Sequence, residues 1–259
     1  MTPLRNAVRG VPAAFAFLTR VPVGAFPYTL NELRWSSAHF PLVGAAIGGV
    51  AGGFMLLCNR AGSLAAAAVA VCGGLLLTGA LHEDGLADTA DALGGASNRE
   101  QLFIILRDSR IGVFGAAALC MGLLLRVALL ARLGRTAPAA LVLTGSLARL
   151  PLVWMVALLP RASPPTSKSA ALGQAGTAQV AVASGWVALL FGGAVAEKLL
   201  EWKLLILLLV VAAATAALCG RRFLRRAGGL TGDFLGATEQ VLECALLLVL
   251  ALWAGKETT

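Results

Sequence analysis

Charge is what this sequence has least of. Only 13% of its 259 residues are Asp, Glu, Lys or Arg and 58% are apolar, against about 25% and about 45–50% in soluble proteins. So low a charge density excludes a soluble globule. The high apolar content excludes a disordered chain, which stays open because it has too little to bury. Cysteine is also sparse in chemical meaning. Cys58, Cys72, Cys120, Cys219 and Cys244 sit singly in apolar runs with no CxxC pair and no His at ligand spacing. That pattern excludes a zinc or disulfide framework and reads the five as small buried fillers. No GxxxxGK[ST] is present, which removes a Walker-type ATPase. The apolar runs lack the two-residue alternation of barrel strands, and no internal repeat marks an inverted-repeat transporter. The basic excess, 21 Lys+Arg against 13 Asp+Glu, forms no solvated stripe with interleaved aromatics, so nucleic acid is excluded as a partner.

What is present is a series of apolar runs bounded by charge or by Gly and Pro: 40–58, 62–81, 111–131, 137–159, 178–196, 204–219 and 241–254. In lipid such runs can only be helices, because each backbone donor must be satisfied within its own segment. The fold class is therefore all-α: a polytopic transmembrane bundle of about 6 to 7 spans in one integral membrane catalytic domain, 1–259, with the lipid bilayer as partner. The last run spans only if its helix starts early enough to take in Glu239 and Glu243, which lie four residues apart on one face. Residues 11–30, broken by Pro12, Pro22 and Pro27, read as interfacial or re-entrant. The early arginines and apolar patch imitate a signal peptide, but no small-residue cleavage pattern follows Arg20. With the N-terminus cytoplasmic, thirteen Lys and Arg fall on that side and six, Lys256 among them, on the other, the asymmetry of a multi-pass protein of the bacterial inner membrane. Glycines at short spacing, Gly44, Gly48, Gly49, Gly52 and Gly53 in the first run and Gly73, Gly74 and Gly79 in the second, predict close helix contacts.

The scarce acids are concentrated. Glu83, Asp84, Asp88, Asp91, Glu100 and Asp108 fall within 26 positions just after an apolar run. On a helix, Asp84, Asp88 and Asp91 stand at offsets 0, 4 and 7, one stripe with no cation between them. Their mutual repulsion calls for a cation. Oxygen ligands without nearby Cys point to Mg²⁺ or Mn²⁺ bridging substrate phosphates, on the cytoplasmic side. Glu83 points about 100° away from the stripe and reads as a supporting or shared metal ligand. His82 reads as a structural hydrogen-bonding residue.

Phosphate-binding candidates follow. Arg107 and Arg110 flank Asp108 and Ser109 in RDSRIGVFG, and a guanidinium donates to phosphate as a bidentate fork. GGLTGDFLGATE, 228–239, reads as a glycine-rich turn offering backbone N–H groups and Asp233. Arg149, beside Pro151 inside a run, is a charge at membrane depth whose partner is a carboxylate of the cluster or a substrate phosphate. Arg126 is expected to snorkel to the far interface.

FLTRVPVG (17–24), FPLVGAAIGGVAG (40–52), LHEDGLADTADALGG (81–95), RDSRIGVFG (107–115) and TGDFLGA (231–237) occur in the order in which they occur in the bacterial cobalamin synthases, or adenosylcobinamide-GDP ribazoletransferases, and the chain resembles that family from about residue 10 to residue 240. Ala92 departs from the glycine common there, and 160–177 carries no matching motif. The resemblance implies completion of the nucleotide loop of coenzyme B12. Its partners are a corrinoid nucleotide, adenosylcobinamide-GDP, and α-ribazole or its 5′-phosphate, and GMP leaves. Taken with it, the residues divide as follows. Asp84 and Asp88 are metal ligands, and Asp91 is a ligand or general base. Glu83, Asp108 and Asp233 are further ligands. Arg107, Ser109, Arg110, Arg149 and Gly232 hold phosphates. The spacing Asp-Gly-x-x-Asp-x-x-Asp also resembles that of the CDP-alcohol phosphotransferases, without their full downstream pattern. A divalent-cation or metabolite transporter using the same acids, and a homo-oligomer, both stay open.

Overall fold

Residues 3–23, 27–162 and 174–255 are described by the structure, a computed structural model. Among them every regular element is a helix, and the one β contact is an isolated bridge between Arg161 and Leu230. In chain order the α-helices are α1 Pro3–Leu18, α2 Leu30–Ser36, α3 Phe40–Leu57, α4 Ser63–Thr78, α5 Leu81–Gly95, α6 Arg99–Ile105, α7 Val113–Leu133, α8 Ala137–Leu158, α9 Thr177–Ala196, α10 Trp202–Ala227 and α11 Gly232–Ala254. Each of the seven expected apolar runs is a helix, and α10 and α11 extend well beyond theirs. Lys168 and Lys256, counted in the charge asymmetry, lie outside the described residues.

Five stretches are long and apolar enough to cross a membrane, and α4 with α5 makes a sixth if that bent pair is one span. One of the five, Val113–Leu158, holds two helices. Its 46 residues would extend about 69 Å if straight, more than twice a hydrocarbon thickness of about 30 Å, and the chain reverses at Gly134 (φ 54). This gives the polytopic bundle its six or seven crossings.

The tightest helix pair is α3 against α8, and glycine makes it. A Cβ at Gly44 would run into the carbonyl of Gly145, and one at Gly48 into that of Leu141. These pairings run in opposite chain directions, so the helices are antiparallel. A Cβ at Gly53 or Gly74 would meet nothing within 4 Å, so these two play no part in the close contacts expected of them. Gly48→Leu is therefore expected to cost about 3 kcal/mol through overpacking, read as a lower melting temperature in detergent. Gly53→Ala, with nothing within 4 Å, should leave it unchanged.

The N-terminal segment departs from expectation in one respect. Pro12 lies inside α1 rather than breaking it, and at 16 residues α1 is too short to span. It is docked instead: Arg9 Nη1 donates to Glu32 Oε1 at 2.9 Å, Trp186 Nε1 donates to His39 Nδ1, and His39 Nε2 therefore donates to the carbonyl of Ala7 at 2.9 Å. Thr29 and Glu32 form a reciprocal capping box that starts α2. The cysteines also differ from expectation. All five are free and none is fully buried; Cys72 and Cys120 are exposed on the outer, apolar surface.

Contacts gather one set of arginines at one end of the bundle. The backbone N–H of Arg20 donates to the carbonyl of Leu77 at the end of α4, and Arg226 Nη2 donates to the carbonyl of Ala96 just after α5. The acids of α5 share that end.

Candidate active site

The site is built on α5, which leaves α4 at 90°. The turn is made by two successive left-handed residues, Gly79 (φ 66) and Ala80 (φ 58). Glycine adopts this conformation without penalty, whereas an L-residue with a side chain pays for it, so the bend is held by its surroundings. α5 then runs unbroken through Ala92, which is fully buried, so the departure at that position leaves the helix intact.

α5 has two faces. Asp84 is exposed and Asp88 and Asp91 are half-buried on one; His82 and Glu83 are buried on the other. The offsets read from the sequence thus describe the helix correctly. α11 closes on α5 where both lack side chains. A Cβ on Gly85 would stand 2.8 Å from the carbonyl oxygen of Asp233, and one on Gly236 would stand 3.3 Å from the His82 backbone. This crossing brings Asp233 to the stripe: Asp84, Asp233 and Asp91 all lie near enough to act on the charge of Asp88. The expected turn at 228–239 is shorter than that, because α11 already begins at Gly232. The Thr231 hydroxyl caps it by accepting from the N–H of Phe234. Gly232 and Asp233 are thus first-turn residues, at the positive end of the helix dipole.

Asp91 differs from its two neighbours on the stripe. Its Oδ2 accepts from the N–H of Gly112 at 2.7 Å and its Oδ1 from the N–H of Gly115 at 2.8 Å. Asp91 therefore caps α7 from outside and pins the RDSRIGVFG segment to α5, a contact the stripe alone gave no means of anticipating. Within that segment Arg110 folds back on Asp108, with Nη2 2.6 Å from Oδ2. The Arg110 side chain, and after it the Arg110 backbone N–H, hold the Asp108 carboxyl down to about 2. Asp108 is thereby committed to Arg110 and not turned to the stripe. Arg107 and Ser109 are exposed, and Arg107 makes no ion pair among the described residues.

Two expected site residues, Glu83 and Arg149, are directed elsewhere, and Arg126 joins them. Glu83 Oε1 accepts from Arg126 Nη1 at 2.9 Å and from Gln240 Nε2 at 3.1 Å, so it faces the bundle interior and not a shared metal. Arg126 does not snorkel. It is 7% exposed and bound to Glu83 and to Glu243, the latter at 3.2 Å, because acids on α5 and α11 offer closer partners than the interface does. Arg149, 2% exposed, sits 2.8 Å from Glu239 Oε1 in an ionic contact too poorly aimed to be a hydrogen bond, and 3.4 Å from Glu243. Its partners among the described residues are thus Glu239 and Glu243 of α11 and not a carboxylate of the stripe. Two guanidiniums and three carboxylates from α5, α7, α8 and α11 form one buried network under the stripe, with Gln240 and His82 at its edge.

Among the described residues, no three His, Cys, Asp or Glu side chains converge closely enough to hold a metal ion by themselves. Magnesium does not require that, since it keeps several waters and is commonly bound by one or two carboxylates plus substrate phosphates. Asp84, Asp88 and Asp233 fit such a partial site. They are hard oxygen donors, they repel one another, and no Lys or Arg is paired with them among the described residues. A transport path would need these acids enclosed between helices, whereas Asp84 is exposed.

An all-helical bundle with several crossings and an accessible carboxylate stripe at one end defines a polytopic membrane protein with a surface-facing polar site. The family model of cobalamin-5-phosphate synthase matches residues 10–251, and the chain belongs to that family. It is 39% identical to the adenosylcobinamide-GDP ribazoletransferase of Albidiferax ferrireducens, over 95% of this chain and 98% of the relative. It is 38% identical to that of Ralstonia nicotianae, over 98% and 99%, and 39% identical to that of Rhizobium etli strain CFN 42, over 92% and 94%. No solved structure matches the chain.

Proposed function

We propose that this protein is an adenosylcobinamide-GDP ribazoletransferase of the inner membrane, working from the cytoplasmic face with Mg²⁺. A hydroxyl of α-ribazole, or of its 5′-phosphate, attacks the corrinoid-side phosphorus of adenosylcobinamide-GDP. The new P–O bond forms as the P–O–P bridge breaks, and GMP leaves with the bridging oxygen. The observation that carries this reading is the Asp84 and Asp88 stripe joined by Asp233 across the Gly85–Gly236 crossing, in a chain alike over nearly its whole length to relatives of that name.

Asp84, Asp88 and Asp233 would hold the metal, which when bound supplies charge neutralisation to the diphosphate. Arg107, exposed and without an ion pair among the described residues, binds phosphate oxygens. The first-turn N–H groups at Gly232 meet them at the α11 N-terminus. Arg110 reaches phosphate only by leaving Asp108. The hydroxyl proton goes to a carboxylate oxygen of the stripe. Asp91 is the least suited to take it, because both its oxygens already accept backbone N–H groups. Its part is to position the 107–115 segment.

Purified protein given adenosylcobinamide-GDP and α-ribazole is expected to release GMP and form cobalamin in equal amounts, and to stop when Mg²⁺ is chelated. GMP without cobalamin, or turnover with a CDP-alcohol instead, would overturn the assignment.

A further inference from the structure

α10 carries four arginines in its last two turns, and they are not equivalent. Arg226 is spent on the carbonyl of Ala96 beside the active site. Arg221 and Arg225, one turn apart on another face, are exposed, make no ion pair among the described residues, and stand at the end of a cavity of about 770 Å³ between α8 and α10. The rest of that cavity is carbon. Leu147, Pro151 and Trp154 of α8 form one wall, and the small residues Ala213, Ala217 and Gly220 hollow out the other. It opens to the outer surface, where Trp154 is 45% and Leu158 is 70% exposed.

The geometry points to a binding site for one anionic phospholipid, its acyl chain laid in the groove and its phosphate on Arg221 and Arg225. The volume lies within the range of about 300–1,000 Å³ that encloses small-molecule ligands. Basic pockets between transmembrane helices on the arginine-rich side bind acidic headgroups in the same way. A helix from a second copy would match the apolar wall alone, whereas an anionic lipid matches the wall and the two guanidiniums together. A zwitterionic lipid would bring its ammonium to two like charges. None of the carboxylates of α5 takes part, so this site stands or falls apart from the proposed reaction.

Trp154 reports on the groove directly. Protein is reconstituted in phosphatidylcholine vesicles containing a small fraction of dibrominated phosphatidylglycerol or of dibrominated phosphatidylcholine. The tryptophan quenching that disappears in Trp154→Phe is assigned to the groove. An apparent preference of about tenfold for the brominated anionic lipid is expected. Arg221→Gln with Arg225→Gln should bring it to the level of phosphatidylcholine, and Arg222→Gln should not. Equal quenching by both lipids in the wild type means ordinary boundary lipid and overturns the proposal. Quenching by neither means the groove is filled by protein and overturns it too. A preference that survives the double substitution places the anion elsewhere. The first two outcomes need no arginine variant to fold.

Discussion

Asp88→Asn is expected to slow GMP release by about a thousandfold while the protein still inserts and melts as the wild type does. The substitution keeps the shape of a half-buried side chain that makes no ion pair among the described residues, so little packing is lost. It removes one hard charged ligand from a site that supplies few. Mg²⁺ should raise the melting temperature of the wild type and lose most of that effect in Asp88→Asn, because a ligand stabilises only the state that binds it. Near-wild-type turnover in Asp88→Asn would remove the stripe from the mechanism. Asp91→Asn separates the two kinds of aspartate. An amide offers one acceptor oxygen where two N–H groups now bind, so this variant should lose thermal stability as well as rate.

Arg149→Met should be the most damaging single change to the fold. It leaves Glu239 and Glu243 buried with Arg126 as their remaining cation, and breaking a buried pair from one side costs about 3–5 kcal/mol. A fall in melting temperature of about 10 °C, or failure to recover monodisperse protein from detergent, is the expected result. Arg149→Met combined with Glu239→Gln should recover part of the loss, since the second change removes one of the stranded charges. A variant as stable as the wild type would mean that water or lipid phosphate reaches this network. Turnover measured on whatever folded fraction survives should be altered far less than in Asp88→Asn.

The helices were legible because lipid sets their length. The runs 40–58 and 137–159 become α3 Phe40–Leu57 and α8 Ala137–Leu158 almost residue for residue. The acidic stripe was legible because three positions at offsets 0, 4 and 7 share a helix face whatever surrounds it. The buried network was not. Arg126, Arg149, Glu239 and Glu243 all lie in apolar helices, and charges of both signs at membrane depth were the available signal. Which arginine meets which glutamate is decided by helix neighbours far apart in sequence, and no local spacing carries that. The same holds for Asp91, whose N–H partners lie 21 and 24 residues away. Gly79 marked a bend, but the left-handed Ala80 beside it has no sequence signature.

That elbow couples two parts of the site that share no atom. Turned 90° out of line with α4, α5 lies alongside α7 and α11, holding Gly112 and Gly115 through Asp91 near one end and Arg126 through Glu83 near the other. The carboxylate stripe and the buried ion network are therefore opposite faces of one fifteen-residue rod. Whatever tips that rod at Gly79 and Ala80 moves the acids on its open face and strains the ion pairs on its closed face at the same time.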